Sequence, residues 1–289
     1  MKSTRKLGSD QSKPRSTEVP FVESIETVTR ARIARVHVLD NPVWHALVGP
    51  HAGVAERVGD AARYLSDVAA FCALADEPTS DAWNDLRTMV GAGGAAFLVG
   101  NAIDLPDGWS IEMTLPCRQM VLPDTAGDRA DDASELLLVL DRDDVPEMLA
   151  LVERTRPGPF ARRTIELGNY LGIRHDGALV AMAGERLHPA GYTEISAVCT
   201  DADQRGRGLA SRLVRALVRG IRVRGETPFL HLTMENENAH RVYDALGFET
   251  RAFLDGNAPG VGGCHAHIRI RRMQVMNQLV GGFVQVARL

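Results

Sequence analysis

One strand–loop–helix segment in the second half of the sequence constrains the fold more than any other feature. Thr193–Thr200 is predicted to form a β-strand, and Leu209–Arg224 repeats apolar residues with the period of an α-helix. The loop between them contains Gly206 and Gly208. Glycine lets a ligand approach the backbone closely, and the free amides and dipole of a helix N-terminus favour a negative charge. The segment therefore indicates an α/β domain with an anion site, suited to a pyrophosphate, at the start of the helix.

Two common phosphate-binding loops do not fit this segment. The sequence has no Gly-Lys-Ser/Thr triplet, which excludes a Walker A loop. The Rossmann pattern lacks its third glycine, because Ser211 stands at that position. Taken alone, the spacing of the two glycines also fits an ordinary turn, so the rest of the sequence has to decide between a turn and an anion site.

The residues around this segment alternate between predicted strands and helices in the order β-α-β-β-β-α-β-α, which indicates a mixed sheet flanked by helices. Asp176 and Gly177 form the strongest predicted hairpin turn. The predicted strands are Glu135–Leu140, Tyr170–Arg174, Ala178–Arg186, Thr193–Thr200 and Phe229–Thr233. The predicted helices are Asp141–Thr155, Leu209–Arg224 and Ala239–Leu246.

The rest of the chain divides into further predicted units. These are a disordered leader at 1–20, an α/β half-domain at 21–124, the main domain at 134–255, and a C-terminal strand and tail at 256–289. In the half-domain, Asp40 or Asn41 is predicted to cap a helix that begins at Pro42. Further predicted elements there are helical stretches at Val54–Phe71 and Asp81–Val90, and strands at Ala95–Val99 and Trp109–Thr114.

Composition excludes several classes of protein. Hydrophobic residues make up 45% of the 289 and charged residues 24%, values typical of a globular chain and not of a disordered one. A net charge of -4 argues against a dedicated nucleic-acid binder, and no apolar run is long enough for a membrane span. The four cysteines form no Cys-x-x-Cys pair, which favours reduced thiols over disulfides or a zinc site. We expect a soluble, cytoplasmic protein without a metal, and the use of arginine in place of lysine after residue 13 suggests a bacterial source.

Two blocks of the sequence carry a resemblance to a known family. Arg205–Ala210 fits the signature Arg/Gln-x-x-Gly-x-Gly/Ala, and Asn236–Phe248 fits Asn-x-x-Ala-x-x-x-Tyr-x-x-x-Gly-Phe in spacing and order. With both blocks in order, residues 134–251 resemble the GNAT N-acetyltransferase superfamily. More loosely, the chain is similar to the branch with an extra N-terminal half-domain, as in glycine N-acyltransferase-type proteins. The resemblance implies an α/β (α+β) fold with a mixed, mainly antiparallel sheet flanked by helices, preceded by a degenerate half of the same kind.

The resemblance also implies acetyl-CoA as co-substrate and assigns its contacts. The backbone of Val198 and Thr200 would pair with the pantetheine arm, with Cys199 between them facing the other way. Asn236 would bind the pantetheine or its pyrophosphate side, and Tyr243 would point its hydroxyl at the thioester sulfur. The pyrophosphate would bind at the loop and first helical turn, which comprise Arg205, Gly206, Arg207, Gly208, Leu209, Ala210 and Ser211.

Acyl transfer to an amine needs a neutral amine, a polarised carbonyl and a proton for the departing thiolate. Tyr243 is the general-acid candidate, although a tyrosine packed in the core fits the same position. Glu194 is the general-base candidate, directly or through water, although a strand-end carboxylate in solvent fits equally well. The resemblance also places Arg163 and Glu166 near the acceptor pocket. Cys199 has no His/Asp partnership to activate its thiol, so we expect direct transfer in a ternary complex without an acyl-enzyme.

The expected function is acetyl transfer from acetyl-CoA to a primary amine of a small molecule or amino acid. Two alternatives stay open: N-acylation of an amino acid with a longer acyl group, and a non-catalytic acyl-CoA-binding or protein-interaction module. The expected partner is a small-molecule amine, with no nucleic acid, no membrane and a possible homodimer. The retained Asn236 and Tyr243 favour catalysis, because coenzyme binding alone needs the glycine loop but no phenol at the sulfur.

Overall fold

The computed structural model describes residues 37–100, 105–124, 137–254 and 285–288. The predicted leader at 1–20, the linker around 125–134 and most of the tail lie outside the described residues. The strands are β1 (Ala55–Val58), β2 (Ala61–Tyr64), β3 (Cys72–Leu74), β4 (Ala95–Leu98), β5 (Ser110–Met113), β6 (Cys117–Val121), β7 (Leu138–Leu140), β8 (Tyr170–His175), β9 (Ala178–Glu185), β10 (Tyr192–Thr200), β11 (Thr227–Thr233), β12 (Glu249–Leu254) and β13 (Gln285–Arg288). The α-helices are α1 (Pro42–Leu47), α2 (Ser80–Val90), α3 (Val145–Thr155), α4 (Leu209–Val223) and α5 (Glu237–Ala245).

The main sheet has the predicted mixed, mainly antiparallel architecture. Its strands lie in the order β12-β6-β11-β10-β9-β8-β7, and β10 with β11 is its one parallel pair within the described part of the chain. The predicted alternation from β7 to α5 is confirmed, and β12 extends it. Asp176 and Gly177 both have positive φ, at 50° and 81°, which is the geometry of a type I′ turn between β8 and β9.

The two halves of the chain exchange a strand. β6, from the predicted first half, hydrogen-bonds between β11 and β12 of the main sheet. β13, near the end of the chain, hydrogen-bonds between β4 and β5 of the first half. The predicted range 21–124 thus ends in a strand that pairs in the other half's sheet, and the C-terminal tail returns to the first half.

The predicted helical stretch at Val54–Phe71 is wrong, because the structure has a hairpin there. β1 and β2 pair in antiparallel register, with Val58 opposite Ala61. The two residues between them, Gly59 and Asp60, form the turn, and Gly59 has a φ of 51°. Gly-Asp between two strands is a hairpin signal that the apolar spacing obscured.

The helix predicted at Pro42 is confirmed, but its predicted capping contact is not. Pro42 is the first residue of α1, and Asn41 precedes it without a side-chain hydrogen bond to a helix amide. The Asn41 side chain instead donates to the carbonyl oxygen of Leu74 at 2.8 Å and to the Asp76 carboxylate at 3.1 Å. A tertiary contact to the end of β3 has displaced the local one.

Helices α3 and α4 pack on opposite faces of the main sheet. Leu213 of α4 shares a buried cluster with Ile195 of β10. Leu151 of α3 shares a different cluster with Cys199 of the same strand. Strand β10 is therefore covered on both faces. Among the described residues, no helix has the length and apolar character needed to span a bilayer.

Candidate active site

A cavity opens where β10 and β11 separate. The two strands pair only from Tyr192–Glu194 with Thr227–Phe229, and the rest of β10 is not paired to β11. On its other side, β10 carries a bulge against β9 between Ser196 and Cys199, where Ala197 has a φ of 52°. One extra residue in a strand bends it and increases its twist. The resulting cavity has a volume of about 480 Å³.

The cavity is lined from five elements of the main domain. Besides β10 and β11, it is bordered by the end of α3, by the start of α4 and by α5. The lining residues are Thr155, Arg156, Pro157, Arg186, Ile195, Ser196, Ala197, Val198, Cys199, Thr200, Arg205, Ala210, His231, Leu232, Thr233, Glu235, Asn236, Ala239, Val242 and Tyr243. Seven of the predicted site residues are among them: Val198, Cys199, Thr200, Arg205, Ala210, Asn236 and Tyr243.

The entrance of α4 leaves its first amides uncapped. Gly208 is the N-cap residue and has no side chain to accept from them. Gly206 and Gly208 have φ values of 78° and 75°, which only glycine adopts without strain, and a Cβ at either would meet no atom within 4 Å. Arg205 lines the cavity beside this turn, and its Nε donates to the carbonyl oxygen of Thr200 at 3.3 Å. The arrangement provides free N–H groups and a cation in open space.

The other predicted loop residues have different surroundings. The exposed Arg207 side chain hydrogen-bonds to Gln204, and Leu209 is buried in the core, so Leu209 could offer a ligand only its backbone. Gly206, Gly208 and Ser211 lie at the helix start but not in the wall of the cavity. For these residues the prediction of a pyrophosphate contact rests on backbone amides.

Val198 and Cys199 lie on opposite faces of β10, as predicted. Val198 packs against the cluster on the α4 side, whereas Cys199 belongs to the cluster on the α3 side. Burial raises the pKa of the Cys199 thiol to about 11, which keeps it protonated and a poor nucleophile. The Thr200 hydroxyl is buried and has no hydrogen-bond partner among the described residues. An orphaned hydroxyl in a cavity wall is suited to a ligand's polar group.

Asn236 and Tyr243 reach the cavity from α5. Asn236 caps this helix, since its Oδ1 accepts from the Ala239 amide at 3.1 Å, which leaves its side-chain N–H groups for another acceptor. Tyr243 is 8% exposed and lies edge-on to Phe248, with 5.7 Å between the ring centroids. No described group hydrogen-bonds to its hydroxyl. Burial raises the pKa of Tyr243 above its ordinary value of 10, so the phenol keeps its proton and can donate it.

Glu194 is fully buried in an ion pair and does not border the cavity. Arg186 Nη2 and Nε donate to its two oxygens at 2.6 and 2.8 Å, and His231 Nδ1 lies 2.7 Å from Oε1. Burial opposes ionisation, but these partners outweigh it and lower the pKa of Glu194 to about 2. A carboxylate so strongly held is a weak proton acceptor. The geometry therefore does not favour the predicted general-base role, and favours a role in holding Arg186 and His231.

The hydrogen bonds of the neighbouring Gln119 decide which ring nitrogen of His231 carries the hydrogen. Gln119 Oε1 accepts from Arg251 Nη1 at 2.8 Å, and its Nε2 donates to the Leu39 carbonyl oxygen at 2.8 Å and to His231 Nε2 at 3.0 Å. The Arg251 guanidinium can only donate and the Leu39 carbonyl oxygen can only accept, so the Gln119 side-chain amide has one orientation. His231 Nε2 must then accept, and its Nδ1–H donates to Glu194. Neither ring nitrogen is left for a substrate.

Arg163 and Glu166 lie apart from the cavity. They pair with each other at 2.8 Å, and Arg163 also reaches Asp67 in the first half at 3.3 Å. These bonds lower the pKa of Glu166 and raise that of Arg163. Neither residue lies in the cavity wall. Their ion pairs instead link the two halves of the chain.

Sequence reasoning missed three charged residues of the cavity wall, Arg156, Arg186 and Glu235. Arg156 follows the end of a predicted helix, Arg186 ends a predicted strand and Glu235 follows one. Charged residues at the ends of strands and helices can be predicted to line a cavity when those ends meet, but the strand order must be known first. Among the described residues, no group of three or more His, Cys, Asp or Glu side chains is placed to hold a metal ion.

Comparisons with known proteins agree with this geometry. The model of the family described as FR47-like protein matches residues 170–254. A GNAT-family protein from Novosphingobium aromaticivorans DSM 12444 is 36% identical, with a TM-score of 0.67 over 75% of this chain and 96% of that chain. A GCN5-related N-acetyltransferase from Kribbella flavida shares the fold at 20% identity and a TM-score of 0.52, over 73% of this chain and 91% of that one. No curated protein matches the sequence. At the identity and coverage of the first of these structures, the chain belongs to the GNAT family of acetyltransferases.

Proposed function

We propose that the protein transfers an acetyl group from acetyl-CoA to the primary amine of a small molecule or amino acid, by direct attack in a ternary complex. The observation that carries this proposal is one continuous cavity. It runs between the separated strands β10 and β11, borders the uncapped entrance of α4, and contains a buried tyrosine with a free hydroxyl.

In this proposal the coenzyme lies along β10. Its pyrophosphate accepts from the amides of residues 206–211, with Arg205 beside it. Its pantetheine arm pairs with the backbone of Val198 and Thr200, and the side-chain amide of Asn236 donates to it. The orphaned Thr200 hydroxyl supports this placement, because it is buried and no described residue is its partner; the exposed N–H groups of Asn236 are open to a ligand.

The chemical step forms one bond and breaks one. The amine nitrogen attacks the thioester carbonyl carbon, whose oxygen is polarised by the Val198 amide, and the C–S bond breaks as the tetrahedral intermediate collapses. Tyr243 gives its proton to the departing thiolate. The amine loses its proton to water in the cavity, since Glu194 is held by Arg186 and is a weak acceptor. Tyr243 is then reprotonated from solvent.

Isothermal titration calorimetry with acetyl-CoA tests the coenzyme site. We expect binding by the wild type and a loss of at least about 100-fold in affinity for Gly206→Asp/Gly208→Asp, because two carboxylates would repel the pyrophosphate. The matched control is Gly206→Asn/Gly208→Asn. Asparagine tolerates positive φ as aspartate does, so this variant separates charge from backbone strain. Failure of the folded wild type to bind acetyl-CoA would overturn the proposal.

Tyr243→Phe separates catalysis from coenzyme binding. We expect its kcat to fall about 100-fold or more with little change in the Kd of acetyl-CoA, because phenylalanine fills the same space but has no proton to give. In the wild type, the raised pKa of Tyr243 places loss of the acid above pH 10, so no alkaline decline from this group is expected at lower pH. Coenzyme binding with no turnover of any amine would favour the non-catalytic alternative.

A further inference from the structure

The end of helix α3 lies beside the loop that leads into α4. Arg154, in the last turn of α3, donates from Nε and Nη2 to the Asp201 carboxylate at 2.9 and 2.8 Å. Asp201 comes directly after β10 and begins the loop that contains Gly206 and Gly208. The Arg154 hydrogen bonds and, to a smaller extent, the charge of Arg205 lower the pKa of Asp201. The end of α3 is therefore at the same end of the cavity as the proposed pyrophosphate site.

Arg156 brings an unpaired guanidinium to this end of the cavity. It follows the last residue of α3 and borders the cavity together with Thr155, Pro157 and Arg205. Its side chain is exposed, and no described residue forms an ion pair or hydrogen bond with it. Arg154 differs, because its guanidinium is already held in an ion pair. Of the two arginines at the end of α3, Arg156 is thus the one that can bind a ligand.

The stability of α3 does not explain this arginine. Arg156 has φ and ψ of 50° and 56°, a left-handed conformation, and its amide donates to the Val152 carbonyl oxygen at 2.7 Å. Glycine is the usual residue at such a position, because it has no Cβ to clash. A cation near a helix C-terminus interacts favourably with the helix dipole, but Arg154 already supplies one. A strained backbone that carries an unpaired cation beside a cavity points to a role in binding.

Arg156 also gives the cavity wall its net positive charge. The loop at residues 201–208 contains two acids and two arginines, so its own charges cancel. In the cavity wall, Glu235 carries a charge opposite to that of Arg205, and Arg186 is neutralised by the carboxylate with which it pairs. The charge of Arg156 has no such counterpart among the described residues of the wall. Without this arginine, an anionic ligand would be attracted mainly by the amides and dipole of α4.

The coenzyme is an anionic ligand of the required kind. Its pyrophosphate and its 3′-phosphate are negatively charged at neutral pH, and a planar guanidinium donates two parallel hydrogen bonds to phosphate oxygens. In the proposed function, the amides at the start of α4 hold the pyrophosphate from the α4 face of the sheet. Helix α3 covers the opposite face. A guanidinium at the end of α3 would therefore reach the same ligand from the other side.

We propose that Arg156 binds a phosphate group of the coenzyme, so that the coenzyme is held from both faces of the sheet. This inference rests on the proposed function, because it assumes that acetyl-CoA binds with its pyrophosphate at this end of the cavity. In this role Arg156 contacts neither the thioester nor the amine. Loss of its side chain should therefore weaken coenzyme binding and leave kcat at saturating acetyl-CoA unchanged.

Isothermal titration calorimetry with CoA and with dephospho-CoA, which lacks the 3′-phosphate, tests this contact. We expect Arg156→Gln to raise the Kd of CoA about 10-fold, the size of one lost charged hydrogen bond. An equal loss with dephospho-CoA assigns the contact to the pyrophosphate, and a loss with CoA alone assigns it to the 3′-phosphate. Both results support the inference. Arg156→Lys keeps the charge, so it should recover part of the affinity.

Two further variants separate a direct contact from effects of folding and of net charge. Glycine relieves the positive φ, so Arg156→Gly should unfold at the same temperature as the wild type or higher, and still bind CoA as weakly as Arg156→Gln. Arg162→Gln is the matched control, because Arg162 is an exposed arginine of the segment after α3 that does not line the cavity. The Kd of CoA for this control should equal that of the wild type.

Salt gives a readout that a purely structural role would not change. At about 1 M NaCl the Debye length is about 3 Å, so the attraction between an exposed guanidinium and a phosphate is largely screened. Because Arg156 is exposed, the difference in Kd between the wild type and Arg156→Gln should shrink in this buffer. A difference that stays the same at both salt concentrations would contradict an electrostatic contact.

The remaining outcomes separate this inference from the proposed function. An unchanged Kd of CoA in Arg156→Gln or in Arg156→Gly, while the wild type binds CoA, overturns the inference alone. An equal loss in Arg162→Gln does the same, because net charge would then be the cause. Normal CoA binding with a raised KM for the amine in Arg156→Gln would assign the arginine to the acceptor, and also overturns the inference. Absence of both CoA and acetyl-CoA binding by the wild type overturns the proposed function itself.

Discussion

The two halves of the molecule differ in the loop that leads from a strand to the first turn of the next helix. In the second half, the loop from β10 to α4 contains two glycines and two arginines, and the N-cap Gly208 offers no side chain to the helix amides. In the first half, α2 follows β3 after Asp76, Glu77 and a proline. There the Thr79 hydroxyl accepts from the Ala82 amide at 3.3 Å. At the first entrance Arg205 and Arg207 stand near free donors, and Asp201 and Asp203 balance their charge; the other entrance is acidic, with one donor already satisfied.

The space beside the two strands also differs. Parallel contact begins similarly in both halves, through an isolated bridge from Phe71 to Phe97 in the first and through the short pairing of β10 with β11 in the second. In the second half the strands then leave a cavity of about 480 Å³. In the first half Trp83 and Trp109 are buried together against α2 and β4, with 5.3 Å between their ring centroids. Side chains occupy the space that a ligand would need.

An anion site therefore needs more than a strand followed by a helix. It needs helix amides that no side chain has satisfied, a favourable charge and an empty cleft, and the first half has none of these at its entrance. The reciprocal exchange of β6 and β13 agrees with the hypothesis that the first half is a degenerate copy of the second. That hypothesis stays a prediction, and three substitutions in the first half test the contrast.

The largest expected effect is that of Trp83→Ala. We expect the free energy of unfolding to fall by about 3–5 kcal/mol, because truncation of a buried tryptophan leaves a cavity in the core of the first half. Denaturant unfolding measures this, with Trp83→Phe as the milder control. Calorimetry under folding conditions should give an unchanged Kd for acetyl-CoA. A folded variant that has lost coenzyme binding would contradict the separation of the two halves.

A smaller effect is expected from His51, a buried histidine that shares a hydrogen bond of 2.7 Å with the Tyr64 hydroxyl. Burial, then the charge of His188, lowers the pKa of His51 from 6.5 to about 4. The unfolded chain thus binds more protons between these values, so the free energy of unfolding is highest above pH 6.5 and falls as the pH approaches 4. We expect this residue to account for about 3 kcal/mol of that fall.

Unfolding measured from pH 7 to pH 4 checks the prediction on His51. His51→Gln keeps a hydrogen-bonding group but cannot titrate, so the decline should become shallower. Part of it should remain, since burial also lowers the pKa of His188. His175→Gln is the control, because His175 is exposed. An identical pH dependence for wild type and His51→Gln would show that the buried imidazole is not the cause.

The smallest expected effect is that of Thr79→Ala at the entrance of α2. Loss of the capping hydroxyl should lower the free energy of unfolding by about 1 kcal/mol. Freeing the Ala82 amide in this way should not create a coenzyme site, because the acids before it and the two tryptophans remain. Calorimetry of Thr79→Ala/Gly208→Asp with acetyl-CoA checks this point. Any binding beyond that of Gly208→Asp alone would contradict the contrast drawn between the entrances.

Local sequence was sufficient where short-range physics decides. Apolar periodicity and glycine positions predicted β10, α4 and the loop between them, and the Asp176–Gly177 turn required only backbone preferences. Helix spacing likewise brought Asn236 and Tyr243 to one side of α5. The hairpin at Gly59 was missed because apolar spacing alone does not separate strand from helix in a short stretch.

Contacts between distant residues decided the rest. The sequence allowed Glu194 to be a base, but Arg186 and His231 hold it as a buried carboxylate with a pKa of about 2. Nothing local indicates that β6 completes the second half's sheet, because strand pairing depends on which edges meet. The sequence by itself determined the strand–loop–helix unit and its free amides. Only the tertiary structure decided which side chains border the cavity, since burial and charge pairing are set by neighbours that lie far away along the chain.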